Sequence, residues 1–202
     1  HDQTNSNWID LQGSLDQADI SYLKRLALSI ADKTRLSWLD ETFLLGQLKN
    51  TQFNIQGSLN DTSTNDLAWS LVTELINVSA SFAERWPNIT AVSGKFSASP
   101  TLIKATLSQG NVEAIQFKDT TVQIADIRSK KPLLSIKGEA TGKTKQIIQL
   151  IKESASTQNA LDIDIPGTIT GKGKLQFEST IPILTKEKLI DIDLKGQYQF
   201  IN

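Results

Sequence analysis

The stretch from Ile190 to Phe200 reads IDIDLKGQYQF, and it decides the fold class. Apolar and polar residues alternate along it, which places the apolar side chains on one face of a β-strand and the polar ones on the other. Gly196 is the one interruption of the apolar series. Strict alternation is typical of antiparallel sheets with one solvated face, because strands of buried parallel sheets are apolar on both faces. The stretch therefore predicts an antiparallel sheet with one apolar face.

Similar alternation recurs along the rest of the chain, and it predicts a mainly β protein. In most of these segments an apolar residue stands at every second position, as a strand with one buried face requires. Further strands are therefore predicted around Ile9–Leu15, Phe53–Leu59, Val92–Ala98, Leu102–Leu107, Val112–Ile124, Leu134–Ala140 and Ile169–Phe177.

Glycine recurs in a short frame, two positions away from an apolar residue on either side. The frame reads LQGSL at Leu11–Leu15, IQGSL at Ile55–Leu59, VSGKF at Val92–Phe96, IKGEA at Ile136–Ala140 and LKGQY at Leu194–Tyr198. Each glycine therefore has the phase of the apolar residues and replaces a side chain on the apolar face. Such glycines either let the sheet bend in an ordinary core, or leave room for another group to approach the backbone.

Three segments have helical rather than strand periodicity. Ser21–Lys33 is the first, with Asp19 as its expected N-cap. The second contains Leu36, Leu39 and Phe43 and is expected to stop at Gly46, while the third is Thr144–Glu153, capped by its own first residue. We expect one mainly β domain over residues 1–202, with about three short helices.

The composition excludes several classes of function. The 21 Lys and Arg residues balance 22 Asp and Glu, so the chain lacks the basic surface of a nucleic-acid-binding protein and a polybasic patch for an anionic membrane. Cysteine is absent and the one histidine is His1, which excludes zinc sites and the usual serine or cysteine triads. We therefore expect no enzyme activity, no cofactor, no metal and no nucleic-acid partner. The chain contains no methionine, so we take it as a piece of a longer protein.

Two pairs of aspartates are the remaining candidates for chemistry. Asp162 with Asp164, and Asp191 with Asp193, stand two positions apart, so each pair shares one face of a strand. Such pairs can bind calcium or hydrolyse glycosides. The alternation favours a solvated face instead, on which acidic residues keep a strand soluble. An acid-pair hydrolase stays open only if one pair converges in a cleft.

Several longer motifs follow one another in a set order along the chain. IDLQGSLDQAD (Ile9–Asp19) precedes ISYLKRL, and LSWLDETFLLGQLKNTQFNIQGSL (Leu36–Leu59) comes next. FAERWPNITAVSGKF (Phe82–Phe96) joins a Trp-Pro pair to a glycine-containing strand, and IPGTITGKGKLQFESTIPI (Ile165–Ile183) closes the series. This order resembles the AsmA-like superfamily, specifically the envelope proteins of the YhdP type, over nearly the whole chain. The chain departs from that family's pattern at Ala155, where the family commonly has proline.

The resemblance implies a fold, a location and a function. In the family, strands form a long curved antiparallel sheet whose concave face is an apolar groove, along which phospholipids move between the inner and outer membranes. The present chain would be one segment of that groove in the periplasm of a Gram-negative bacterium, within a protein anchored in the inner membrane. Its partners would be phospholipid acyl chains and neighbouring segments of the same protein, with membrane contact through parts outside this chain.

Two functional hypotheses follow. The first is a segment of a lipid-conducting groove that supports the outer-membrane barrier. Strand phase alone selects its lining candidates: Ile55, Phe96, Ile136, Leu175, Phe177, Ile192, Leu194 and Phe200. The second is a non-enzymatic structural or interaction module whose apolar face is a fully packed core. Helices that cover the apolar face completely would favour the second.

Overall fold

The polypeptide forms nine β-strands, one complete α-helix and a helical turn after the first strand within the residues that the structure, a computed structural model, describes. These residues are 8–22, 25, 43–58, 67–81, 87–129, 132–154, 170–182 and 193–201. The strands are β1 (Trp8–Asp19), β2 (Phe43–Ser58), β3 (Ala68–Ala80), β4 (Ile89–Ala98), β5 (Leu102–Val112), β6 (Ile115–Ala125), β7 (Leu133–Lys143), β8 (Lys172–Pro182) and β9 (Asp193–Ile201). The helix, α1 (Thr144–Ser154), lies between β7 and β8.

The strands form one antiparallel sheet in which every strand pairs with its neighbours in sequence. The sheet is curved and does not close on itself, and among the described strands β1 and β9 stand at its two edges. The prediction of a mainly β, curved antiparallel fold with few helices is confirmed.

Left-handed residues inside the strands mark the positions where the regular pairing shifts. Asn50, Asn77, Ala91 and Asp119 have φ of 51°, 51°, 53° and 47°, and each lies within an irregularity of the strand pairing. An extra residue of this kind bends a strand and increases its twist. Four strands therefore carry a built-in bend, three of them at residue types that tolerate this conformation.

Aromatic rings fill the space above several glycines of the apolar face. A Cβ atom on Gly13 would overlap the ring of Phe53, one on Gly110 would overlap Phe117, and one on Gly173 would overlap Tyr198. In the first two pairs the ring belongs to the directly opposed residue of the next strand. Of these three only Gly13 belongs to the glycine frames. At two other frame glycines the space is filled differently, at Gly94 by the backbone of Thr106 and Leu107 and at Gly138 by the Thr120 side chain.

The predicted strands are confirmed over their described residues, with three corrections. Leu59, Ile169 and Ile190 lie outside those residues, and β8 begins at Lys172, later than the predicted start at Ile169. The segment Val112–Ile124 is not one strand, because Glu113 and Ala114 form a turn and Val112 pairs with Ile115 across it. Strand β3 was not predicted at all. Its apolar residues occur on both faces, where Val72 and Ile76 are exposed, and the left-handed Asn77 shifts the alternation.

The helix predictions have different outcomes. Helix α1 is confirmed at its predicted position. The expected stop at Gly46 is wrong, because Phe43 already begins β2 and Gly46 lies inside that strand. Of the first predicted helix, residues 21, 22 and 25 are helical, and the helical turn begins one residue earlier, at Ile20. The rest of that helix lies outside the described residues, as does the segment before Phe43. Asp19 Oδ1 accepts the backbone N–H of Ser21 at 2.8 Å, so its role as N-cap is confirmed.

Candidate functional site

The strand pairing places apolar side chains opposite one another in a row that crosses eight strands. Directly opposed residues of neighbouring strands point to the same face of a sheet. The first row, from β1 to β8, consists of Gly13, Phe53, Leu71, Ala98, Ile103, Ile124, Leu134 and Ile181. Neighbouring strands lie about 4.8 Å apart, so the seven steps extend roughly 34 Å. The row holds no polar side chain.

A second row runs beside the first, from β3 to β9. It consists of Thr73, Phe96, Ala105, Val122, Ile136, Ser179 and Leu194. It contains two hydroxyl groups and no charge. We call the side of the sheet that carries both rows the apolar face.

Seven of the eight predicted lining residues lie on this apolar face. Phe96, Ile136 and Leu194 belong to the second row, and Ile55 stands opposite Leu11 and Trp69 on the same face. Leu175 and Phe177 lie in β8 opposite Ala140 and Gly138, while Phe200 lies in β9 opposite Gly173. Ile192 is outside the described residues. Exposure differs along the set, from 8% at Phe96 to 59% at Phe200.

Phe96 belongs to a packed cluster in the central part of the sheet. Ten buried side chains form this cluster, and they come from the strands β2 to β6 and from the helical turn after β1: Ile20, Leu48, Leu71, Leu75, Val78, Val92, Phe96, Ala98, Leu107 and Phe117. Phe53, Trp69 and Val122 pack against it and stay partly exposed. The central apolar face is therefore packed at the ten residues of this cluster and accessible at the partly exposed side chains beside it.

Helix α1 covers a different part of the apolar face. Ile147 is 1% exposed and forms a separate small cluster with Ile115 and Ala140. Leu150 and Ile151 extend this cluster toward the β-sheet, where three partly buried side chains join it: Leu175, Phe177 and Tyr198. The alternation placed Tyr198 on the apolar face, but the predicted lining residues did not include it.

Three hydrogen bonds attach the beginning of α1 to the sheet. The backbone N–H and the hydroxyl of Thr144 both donate to the carbonyl oxygen of Gly171, at 3.1 and 3.2 Å. The hydroxyl of Tyr198 donates to Thr144 Oγ1 at 2.7 Å. The Thr144 side chain is fully buried, whereas Gly171 is exposed and Tyr198 is partly exposed, so this small polar network lies at the solvent-accessible end of an apolar cluster. We call these three bonds the latch.

The apolar face reaches both edges of the sheet with exposed apolar side chains. On β1, Leu11 and Leu15 are 46% and 41% exposed, and on β9 Phe200 is 59% exposed. The apolar face therefore does not stop short of the edge strands.

The buried hydroxyl of Thr73, in the second row, forms a hydrogen bond with the buried hydroxyl of Thr51. Thr51 Oγ1 and Thr73 Oγ1 are 2.7 Å apart, both residues are 2% exposed, and Thr73 also donates to the carbonyl of Lys49. A buried polar pair that is bonded internally presents no unpaired group to a ligand. These threonines are therefore compatible with an apolar surface.

Charged groups occur on the opposite face. Glu139 lies between Lys174 and Lys118, and its ion pair with Lys118 measures 3.3 Å. The hydrogen bond from Lys174, followed by that from Lys118, holds the pKa of Glu139 below its ordinary value. Lys137 and Glu178 form a second, exposed ion pair. This face has the charged, solvated character that the alternation predicts.

The acid-pair hypothesis finds no described site. Asp162, Asp164 and Asp191 lie outside the described residues, and Asp193 begins β9 opposite Thr180. Within the ranges that the structure describes, no three acidic or histidine side chains come together in a way that could hold a metal ion. In the same ranges, no helix has the length and apolar character needed to cross a membrane.

Fold and face together define a class of protein, a curved and unclosed antiparallel sheet with one continuous apolar face. The family model described as YhdP protein matches residues 1–202. The chain therefore belongs to the YhdP family, a YhdP-type branch of the AsmA-like proteins. Comparisons with curated proteins and with solved structures returned no match. Membership associates the chain with the bacterial envelope and with lipid transport, and the family is not a known class of enzymes.

Proposed function

We propose that the apolar face binds phospholipid acyl chains and forms one segment of a groove between the inner and outer membranes. The observation that carries the proposal is the first row, which crosses eight strands without a polar side chain. Each methylene group that leaves water contributes about 0.8 kcal/mol, so a long acyl chain is held without a specific pocket. The first row is apolar over roughly 34 Å, and this length supplies the contact surface that an acyl chain needs.

The polar headgroup requires no binding charge inside the groove. The rows hold no charged side chain, whereas the opposite face carries the ion pairs of Glu139 and Lys137. A phosphate moved onto the apolar rows would lose its hydration without gaining a partner, which is strongly unfavourable. We therefore expect the headgroup to stay at the solvated mouth of the groove while the acyl chains lie on the rows.

The open edges suit a segment of a longer sheet. Both β1 and β9 lack a second neighbouring strand in the described sheet, and both carry exposed apolar side chains on the apolar face. Unpaired edge strands readily accept further strands. In our proposal neighbouring segments of the same protein pair with these edges, so that the apolar face continues through the periplasm from a protein anchored in the inner membrane.

A matched pair of photo-crosslinking positions tests the proposal. Ile136 belongs to the second row, and Lys137, the next residue of the same strand, forms its ion pair on the opposite face. A benzophenone amino acid placed at Ile136 in the intact protein should form phospholipid adducts in bacterial cells, and one at Lys137 should not. Adducts of equal yield at both positions, or only at Lys137, would contradict the proposal.

A structural or interaction module remains the second candidate function. The packed cluster around Leu75 and Phe96 favours it, because a filled core leaves no space for a ligand at that level of the sheet. This alternative predicts no lipid adduct at Ile136, and no phospholipid in mass spectra of the purified protein. The same pair of positions therefore separates the two functions.

A further inference from the structure

We propose that helix α1 is a displaceable lid, which covers the apolar face of β8 when lipid is absent and moves aside when acyl chains arrive. This inference rests on the proposed function, since it concerns access to the same face. The lid would control access to Leu175 and Phe177, which pack against the small cluster that the helix completes. The latch would hold it in the closed position.

The helix packs as a unit separate from the main core. Its cluster contains only three buried residues, Ile115, Ala140 and Ile147, and shares none of them with the ten-residue cluster of the central strands. Regions with few buried apolar contacts open locally at lower cost than the rest of a fold. Helix α1 can therefore leave the sheet without unpacking the core.

The helix also covers its part of the sheet incompletely. Leu175 and Phe177 remain partly exposed beneath it, and Leu150 and Ile151 are only partly buried. On the solvent side of the helix, Lys145 and Lys152 are exposed. The apolar side of α1 thus occupies the kind of surface that an acyl chain would occupy, and the two compete for the same side chains.

The latch is a polar contact at one end of an otherwise apolar interface. Thr144 Oγ1 accepts a hydrogen bond from the Tyr198 hydroxyl and donates one to the carbonyl oxygen of Gly171. Thr144 directly follows Lys143, the last residue of β7, so no loop lies between the strand and the helix. Gly171 has φ of +124° and open space where a side chain would stand, so its backbone conformation rather than packing sets the position of the acceptor oxygen. Weakening this contact should free the helix without disturbing the sheet.

The movement can be measured as a distance, because the chain contains no cysteine of its own. Spin labels on Lys152→Cys, in α1, and Gln176→Cys, in β8, report the separation of the helix from the sheet, and both native residues are exposed. We expect a longer distance to appear when vesicles of phosphatidylethanolamine and phosphatidylglycerol are added to the intact labelled protein. A distribution unchanged by vesicles that do deliver lipid to Ile136 would overturn the lid.

Latch variants give a second measurement. Thr144→Val and Tyr198→Phe each remove a hydroxyl with little change of shape. Tyr198→Phe removes one hydrogen bond and should raise the open population roughly two- to tenfold before lipid is added. Thr144→Val removes two hydrogen bonds and should raise it further. Thr106→Val makes the same chemical change at an exposed position of β5 and should leave the distance unchanged. Latch variants that match this control would overturn the lid.

Photo-crosslinking in the same samples separates failure of the lid from failure of the proposed function. If helix α1 acts as a lid, lipid adducts at Leu175 should increase in the latch variants, while adducts at Ile136 stay constant. Equal adducts at Leu175 in wild type and variants would show that α1 does not control access. An absence of adducts at both positions would contradict lipid binding itself, and the lid with it.

Discussion

Replacing Gly110 by alanine tests the way in which the sheet packs its glycines against aromatic rings. The new Cβ atom would overlap the ring of Phe117, whose three nearest atoms belong to the far end of that side chain. Phe117 is 9% exposed and belongs to the central cluster, so its ring has little room to move. The substitution therefore overpacks the core.

The magnitude follows from two opposing contributions. Overpacking a core costs about 1–3 kcal/mol. Alanine in a strand recovers about 0.5–1 kcal/mol of backbone entropy relative to glycine. We expect Gly110→Ala to lower the free energy of unfolding by about 1–2 kcal/mol, which corresponds to roughly 2–8 °C in melting temperature for a chain of this size.

Urea unfolding followed by tryptophan fluorescence measures this change, and a double-mutant cycle identifies its cause. Phe117→Leu removes the overlapping ring, so Gly110→Ala should cost less in that background, with a coupling energy of about 1 kcal/mol or more. Gly171→Ala serves as control, because a Cβ atom there meets nothing within 4 Å and the strain is confined to the backbone. Additive effects of the Gly110 and Phe117 substitutions would refute the reasoning.

Two further predictions concern polar groups. Thr73→Val should lower the free energy of unfolding in urea by about 1–2 kcal/mol, because it leaves the buried Thr51 hydroxyl without its partner. Thr51→Val should cost less in the Thr73→Val background than in the wild-type chain. Since hydrogen bonds from Lys174 lower the pKa of Glu139, its contribution to stability is present at neutral pH and is lost as the pH falls below the ordinary value near 4.5. Glu139→Gln should flatten the dependence of the urea midpoint on pH in that acidic range, and an unchanged slope would contradict the assignment. The effect should be small, because the ion pairs of Glu139 are solvated.

Local patterns predicted most of the architecture and the identity of the apolar face. Alternation depends only on neighbouring residues, so the phase of Ile136 or Leu175 could be assigned from the sequence and the described residues of that phase do share one face. Asn77 shows where this reasoning stops. A left-handed residue shifts the alternation inside β3, and apolar residues on both faces then hide the strand.

Contacts between distant parts of the chain were beyond the sequence. The hydrogen bond between Tyr198 and Thr144 joins residues 54 positions apart. Neither the alternation around Tyr198 nor the helical periodicity after Thr144 indicates that the two residues meet. The rings above Gly13 and Gly110 likewise depend on the pairing of two strands, which the glycine frames alone do not specify. The phase of Gly13 was predictable from its frame, but the ring that fills the space above it was not.

The phospholipid content of the purified intact protein tests the central claim most directly. Ile136→Glu places a charge in the second row, whereas Lys137→Glu changes the charge of the neighbouring residue on the opposite face and breaks only an exposed ion pair. We predict that phospholipid co-purifies with the wild-type protein and with Lys137→Glu, and that a folded Ile136→Glu variant loses it. Equal phospholipid in all three proteins, or none in the wild type, would contradict the account.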